Sequence, residues 1–270
     1  MTIRRISLRY YAGYWLVCAS RLFKSVLNKL FWVASLPERF SVIVWTPQEI
    51  DRWARADWNS WPSVRSYSRL DDWLSVTEKT LVETYFTKGG ELLNVACGAG
   101  REASLLARRG LRVTACDWSP RMIAEARRRA REANLSMRFE MADVYDLQYP
   151  ENAFDYLLLT NIAYSYIFPR HRRIRFLRQA QSVLKSGGIF IISFASARDG
   201  SKARPGRLDS LFMKLRLGPP FNREYEPGDR FSGSFTHFFH AEDLAQELQE
   251  AQFLIKDWLW DEGYAVLVKL

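Results

Sequence analysis

Asn94-Val95-Ala96-Cys97-Gly98-Ala99-Gly100-Arg101 joins the apolar run Leu92–Ala96 to the helical pattern Arg101–Arg109. The run reads as a buried strand, and Gly110 stops the helix. Glycines between a strand and a helix let the backbone turn tightly and let a ligand approach the main chain closely. Gly-x-Gly alone is a weak signal. Here a second strand, Leu111–Cys116, leads directly into Asp117, 19 residues after Gly98. A carboxylate at that place accepts hydrogen bonds from both ribose hydroxyls of an adenosyl ligand.

Outward from this turn, strand and helix alternate. Ser119-Pro120 opens a helix to about Ala133, followed by a strand at Met137–Met141. Phe154–Thr160 reads as a central strand, His171–Leu184 as a helix capped by Gly187-Gly188, and Ile189–Phe194 as a strand. Ala241–Ala251 is helical, and Phe253–Trp260 and Tyr264–Leu270 form an antiparallel hairpin around Asp261-Glu262-Gly263. This alternation predicts an α/β fold, a Rossmann-like doubly wound, mostly parallel sheet with an antiparallel C-terminal hairpin. Such sheets bind ligands at the carboxyl ends of their strands, near the switch point.

Before the sheet, Thr46-Pro47-Gln48-Glu49 predicts a helix start, with Thr at the N-cap, Pro at the first position and Glu three after the cap. That helix runs to about Asp57. Residues 58–70 read as irregular, and Asp72–Phe86 as a further helix. The expected organisation is an N-terminal helical extension or cap over residues 1–85 and a ligand-binding domain over residues 86–270. The domain carries a Gly-, Pro- and Arg-rich insert at 196–235 with one helix candidate, Leu208–Leu215.

The net charge of +9 is uneven: residues 1–45 hold seven basic residues against Glu38 alone, so six of the nine charges fall there. Read as a helix, Trp15, Leu16, Ala19, Leu22, Phe23, Val26, Leu27 and Leu30 form an apolar stripe, with Arg21, Lys24 and Lys29 on the other face. The charge-free run Tyr10–Ser20 is too short to cross a bilayer. The segment suits peripheral contact with a membrane, packing on its own domain, or a homodimer contact. Cys18, Cys97 and Cys116 are too few and too scattered for a disulfide framework or a metal knuckle, and fit a reducing, cytoplasmic setting, at most peripheral to the inner face of a membrane.

Several motifs in order resemble the class I S-adenosylmethionine-dependent methyltransferases, especially the small-molecule branch. They are Leu93–Arg101, Cys116-Asp117-Trp118-Ser119-Pro120, Ala142-Asp143-Val144, Phe154–Leu159 and Leu184-Lys185-Ser186-Gly187-Gly188. The likeness covers about residues 86–270, and the terminal hairpin completes the seven-stranded sheet of that family. It implies S-adenosylmethionine as cofactor. Its expected cofactor contacts are Asn94, Ala96, Gly98, Gly100 and Arg101, with Gly98 and Gly100 facing the methionine part, and Asp117 at the ribose. Trp118 and Met122 would flank the adenine, Asp143 and Val144 would meet its edge, and Thr160 and Asn161 would face the sulfonium. Asn94 stands where the family usually has an acid, and Ala96 where it usually has glycine.

Methyl transfer needs a general base only when the acceptor must lose a proton. Tyr164, His171 and His237 are the base candidates, with Tyr166 and His240 beside them; Tyr67, Tyr164, Tyr166 and His237 are the candidate acceptor-pocket residues, joined by N-terminal aromatics including Trp53, Trp58, Trp61 and Trp73. The expected acceptor is a small molecule or a lipid-like compound. A nucleic-acid methyltransferase is the second reading, but Thr160-Asn161-Ile162-Ala163-Tyr164 lacks the Pro-Pro-aromatic motif of amino-directed enzymes, and no Pro-Cys nucleophile is present. Arg127, Arg128, Arg129 and Arg131 read as a solvated helix face. A non-catalytic S-adenosylmethionine-binding partner is the third reading. A nicotinamide enzyme would need the third glycine of the dinucleotide fingerprint.

Overall fold

The computed structural model describes residues 45–68, 74–87, 89–197, 224–232 and 234–270. The basic N-terminal segment, Trp73 and the Leu208–Leu215 helix candidate lie outside them.

Three helices precede the sheet. Helix α1 spans Pro47–Trp58: the Thr46 hydroxyl accepts from the Glu49 N–H, and the Glu49 carboxylate accepts from the Thr46 N–H at 2.7 Å, the reciprocal capping box that the sequence predicts. Helix α2 spans Trp61–Ser68, where the sequence reading had irregular chain. The overlooked signal was Ser60 followed by Trp61-Pro62: Pro tolerates the first helical turn, and the Ser60 hydroxyl accepts from the Ser63 N–H. Helix α3 spans Val76–Tyr85 with a second capping box, Ser75 and Glu78. It starts later than the pattern suggested because Ser75 supplies the cap.

Strands β1 (Glu91–Val95), β2 (Arg112–Asp117), β3 (Arg138–Met141), β4 (Phe154–Leu159) and β5 (Leu184–Ser193) alternate with helices α4 (Arg101–Arg108), α5 (Pro120–Glu132) and α6 (Arg170–Val183). Three short strands follow: β6 (Ala195–Ser196), β7 (Asp229–Ser232) and β8 (Ser234–Phe239). Helix α7 (Ala241–Glu250) and strands β9 (Phe253–Leu259) and β10 (Tyr264–Lys269) end the chain. The main sheet has the order β3-β2-β1-β4-β5-β10-β9, with β1 to β5 parallel and β10 antiparallel to both β5 and β9. This is the doubly wound, seven-stranded arrangement with an antiparallel C-terminal pair that the alternation predicts. The small sheet β6-β8-β7 was not foreseen. Its strands are short and fall within or at the ends of the 196–235 insert, where period-2 patterning gives little signal.

Both faces of the main sheet are covered, so its central strands are apolar throughout. Leu93, Leu157 and Ile192 pack with Phe176, Leu177, Leu244 and Leu248 of α6 and α7. Their neighbours Leu92, Leu158 and Ile191 turn to the opposite layer, with Leu81 of α3, Leu106 of α4 and Ile123 of α5. Helix α3 therefore shares the sheet's core.

Gly187-Gly188 does not cap α6, as the pattern suggested. The helix runs straight into β5, where Phe154 pairs with Leu184 before the register shifts to Tyr156 opposite Ile189. The two glycines form that irregularity: Gly187 has φ +74°, and a Cβ on Gly188 would lie 2.7 Å from the Lys185 carbonyl oxygen.

Gly100 has φ +80°, and a Cβ there would stand 3.1 Å from Ala126 Cβ on α5. Gly100→Ala is expected to cost about 2 kcal/mol of stability, combining a left-handed backbone penalty with overpacking. Urea denaturation checks this; an unchanged midpoint would show that α5 can withdraw without cost.

Candidate active site

A cleft of about 150 Å³ opens at the carboxyl ends of β1, β2 and β4. The strand order reverses between β1 and β4, where α/β sheets hold ligands. The volume is roughly ten times what a single water needs, so the cleft is ligand-sized.

One wall is the glycine turn. Ala96 and Gly98 both lie in the left-handed region, at φ +50° and +51°. A Cβ built on Gly98 would meet nothing nearer than Tyr67 Cδ1 at 4.0 Å, so the main chain there faces open space. The Asp117 carboxylate anchors the turn: Gly98 N–H donates to Oδ2 at 3.0 Å and Ser119 N–H to Oδ1 at 2.9 Å. Asp117 is buried, and burial pushes its carboxyl above the ordinary value, partly opposed by the N–H groups of Ser119 and Gly98. Trp118, Met122, Asp143, Val144 and Tyr145 extend the wall. Asp143 accepts from the Tyr145 N–H at 3.0 Å on Oδ1 and from the Arg55 guanidinium on Oδ2.

Past β4, Asn161 and Ile162 are both left-handed, at φ +55° and +51°. For a β-branched residue this is strained, and such strain tends to gather at functional sites. The Ile162 N–H donates to Ser193 Oγ at 2.7 Å, which holds the turn. The turn brings Thr160 Oγ1 and Asn161 Nδ2 each within 3.0 Å of Glu102 Oε1. Glu102 is buried and also accepts from the Arg101 guanidinium. Arg101 in turn lies 3.7 Å from Glu78 of α3.

The other wall is aromatic. Trp58 of α1 stands 5.5 Å from Tyr67 of α2 and 5.4 Å from Tyr166, ring centre to ring centre. Ala163 and Ile167 complete it. Burial pushes the Tyr166 hydroxyl up to about 12, so it stays protonated at neutral pH. Cys97 also lines the cleft, and burial holds its thiol well above its ordinary value. Among the described residues lining the cleft there is no histidine.

The structure thus brings Ala96, Gly98, Arg101, Asp117, Trp118, Met122, Asp143, Val144, Thr160, Asn161, Tyr67 and Tyr166 to one cleft. Five expected site residues lie off its lining. Asn94 is buried, donates from Nδ2 to the Leu158 carbonyl at 3.4 Å, and its Oδ1 has no partner among the described residues. Gly100 packs against α5 instead. Tyr164 is fully buried, stacks on Phe239 and donates to Glu247 at 2.5 Å. His237 is buried against Asp229, its cross-strand partner in the β7–β8 hairpin, with Nδ1 2.7 Å from Oδ1. His171 is solvent-exposed and lies 3.1 Å from Glu224. The expectation of a base at Tyr164, His171 or His237 is corrected on this geometry: two are enclosed by the core and one faces solvent away from the cleft. Trp53 and Trp61 are exposed and off the lining as well, and His240 precedes α7 as its N-cap.

The sequence reading missed Asp51, Arg55, Glu102 and Tyr145. Glu102 was legible as the acid next to Arg101 in the first turn of α4. Arg55 was not, because nothing in the sequence says which face of α1 closes over the cleft.

Residues 92–188 match the family model described as a methyltransferase domain. That stretch is a methyltransferase domain, and the fold around it is the one seen in S-adenosylmethionine-dependent methyltransferases of known structure. It is 28% identical over 174 residues to the demethylmenaquinone methyltransferase of Tropheryma whipplei strain Twist, covering 64% of this chain and 70% of that protein. Among solved structures it resembles the PH0226 protein of Pyrococcus horikoshii OT3, with TM-score 0.56, 22% identity, and 79% and 94% of the two chains covered. It also resembles the 1,6-didemethyltoxoflavin-N1-methyltransferase of Burkholderia thailandensis, solved with 1,6-didemethyltoxoflavin and S-adenosylhomocysteine, with TM-score 0.53, 19% identity, and 83% and 89% covered. At these identities, the solved structures speak to the fold.

Proposed function

We propose that the chain transfers the methyl group of S-adenosylmethionine to a small, largely apolar acceptor with a flat or lipid-like body, held against Trp58, Tyr67 and Tyr166. The observation that carries this reading is the division of one cleft into an acid-bearing half and an aromatic half.

The residues present fit the cofactor. Four carboxylates, Asp51, Glu102, Asp117 and Asp143, line the cleft against two guanidiniums, Arg55 and Arg101. The surplus of negative charge suits a cationic sulfonium. The open face of Gly98 leaves the main chain free for close approach. Asp117 would take the ribose hydroxyls, Trp118 and Met122 the flat base, Asp143 its amino group, and Arg101 and Glu102 the methionine end. Bound S-adenosylmethionine supplies a methyl carbon already activated by its sulfonium.

The chain's own part is placement and dryness: the aromatic wall holds the acceptor in line and excludes water. With Tyr166 and Cys97 protonated, the cleft suits an acceptor that is nucleophilic as it arrives. The relative from Tropheryma whipplei is named for a quinone acceptor, which supports a ring-bearing, lipid-soluble substrate class. No helix among the described residues is long and apolar enough to cross a membrane. Residues 1–45, basic and amphipathic in sequence, would bring the cleft to an anionic lipid surface from the cytoplasmic side, or pair two copies of the chain.

The test is methyl-labelled S-adenosylmethionine incubated with the purified protein and host extract, followed by separation into organic, aqueous, nucleic-acid and protein fractions. Label is expected in the organic or small-molecule fraction. Label confined to nucleic acid would overturn the proposed acceptor class.

A further inference from the structure

Helix α1 places a cation over the part of the cleft assigned above to adenine. Arg55 sits one turn before Trp58, on the same helix that supplies the aromatic wall. Its guanidinium lies 4.9 Å from the centre of the Trp118 ring and donates to Asp143 Oδ2. Those two groups, an aromatic face and a carboxylate oxygen, are what a flat base bearing an amino donor would use. A planar guanidinium offers the same combination: a flat cation for the ring and N–H donors for the acid.

We propose that Arg55 is an internal competitor for the adenine subsite, which must leave Asp143 and Trp118 when the cofactor binds. The inference rests on the reading of Trp118 and Asp143 as the adenine contacts. A second partner for the side chain is already in contact, in the same pose. Asp51, one turn earlier on α1, accepts from Arg55 Nε at 2.8 Å. When the outer nitrogens release Asp143, the Asp51 contact keeps the guanidinium paired at the cleft mouth. Asp51, Asp143 and Trp118 are the charged and aromatic groups facing the arm from α1 and from the β2 and β3 ends.

The experiment is calorimetric titration of S-adenosylhomocysteine, a ligand without net charge, into the full-length wild-type, Arg55→Ala, Asp51→Ala and doubly substituted proteins. Loss of one ion pair and one cation–π contact from the free state should tighten binding to Arg55→Ala by about tenfold. Asp51→Ala should weaken binding, since the arm loses its alternative partner, and the double variant should return to the Arg55→Ala value. Added salt should strengthen binding to the wild type and leave Arg55→Ala unchanged, because screening weakens the competitor. Weaker binding by Arg55→Ala, with an unchanged thermal midpoint, would overturn the proposal and make Arg55 a clamp on bound cofactor. If neither wild type nor Arg55→Ala takes up the ligand, the cofactor reading of the cleft fails and the competitor with it.

Discussion

Asp117→Asn is expected to weaken S-adenosylhomocysteine binding by about 100-fold, the loss of a charge-assisted acceptor for two hydroxyls. The substitution keeps the size of the side chain but removes its charge and half of its accepting capacity. It also turns an amide NH₂ toward either the Gly98 or the Ser119 N–H, both of which now donate to the carboxylate. The glycine turn and the ribose contact thus fail together. Calorimetry gives the affinity, and circular dichroism with a thermal melt shows that the sheet is intact. A loss below about fivefold would remove Asp117 from the ligand contacts, since even one such hydrogen bond contributes more.

The same carboxyl sets a pH dependence. Burial raises it above the ordinary carboxylate value in the folded protein. The folded state therefore holds this proton more tightly than the unfolded chain does. The resulting stability contribution is fully present below the unfolded value and is lost as pH rises through the folded one. Ligand affinity, which needs the carboxylate, moves the other way: it falls on acidification at a higher pH than an ordinary aspartate would give.

Glu247→Gln is expected to cost about 3 kcal/mol of stability and to lower the thermal midpoint by about 6–12 °C. Glu247 of α7 accepts from Arg173 Nη2 at 2.8 Å and Nε at 3.1 Å, and from the Tyr164 hydroxyl at 2.5 Å. Arg173 is 1% exposed, so losing this carboxylate leaves a buried cation with Glu226 as its remaining ion-pair partner among the described residues. Breaking a buried pair by removing one member costs far more than a surface pair is worth. The network ties α6 to α7 and the β7–β8 hairpin, away from the cleft, so S-adenosylhomocysteine affinity should not change. Thermal and urea unfolding measure the loss; a change under 1 kcal/mol would mean that water reaches Arg173 and replaces the partner. The same experiment bears on Tyr164, whose hydroxyl belongs to this network: burial, then the charge of Glu247, keeps it protonated.

The sheet, the glycine turn and Asp117 could be read directly from the residues, because each depends on local rules. Apolar runs that bury both faces make strands. Glycine alone turns without strain where φ is positive, and an acid at the end of the second strand lies beside that turn whatever else the protein does. The capping boxes of α1 and α3 are equally local, and Thr46 and Ser75 act where their spacing to Glu49 and Glu78 places them.

The partners of polar side chains across the fold were decided only by tertiary structure. Tyr164 follows the fourth strand and His237 lies just past the 196–235 insert, and both are enclosed, one by Glu247 and Phe239, the other by Asp229. Gly100 resembled a ligand contact in the sequence, and in the structure a Cβ there would stand 3.1 Å from Ala126 of α5. Glu102 and Arg55 reach the cleft through contacts 58 and 88 residues apart in the chain, to Thr160 and Asp143 respectively. Periodicity says which face of a helix is buried; it does not say against what. Which acids and cations meet in the cleft therefore depends on how the N-terminal helices close over the sheet, and that is set by long-range packing.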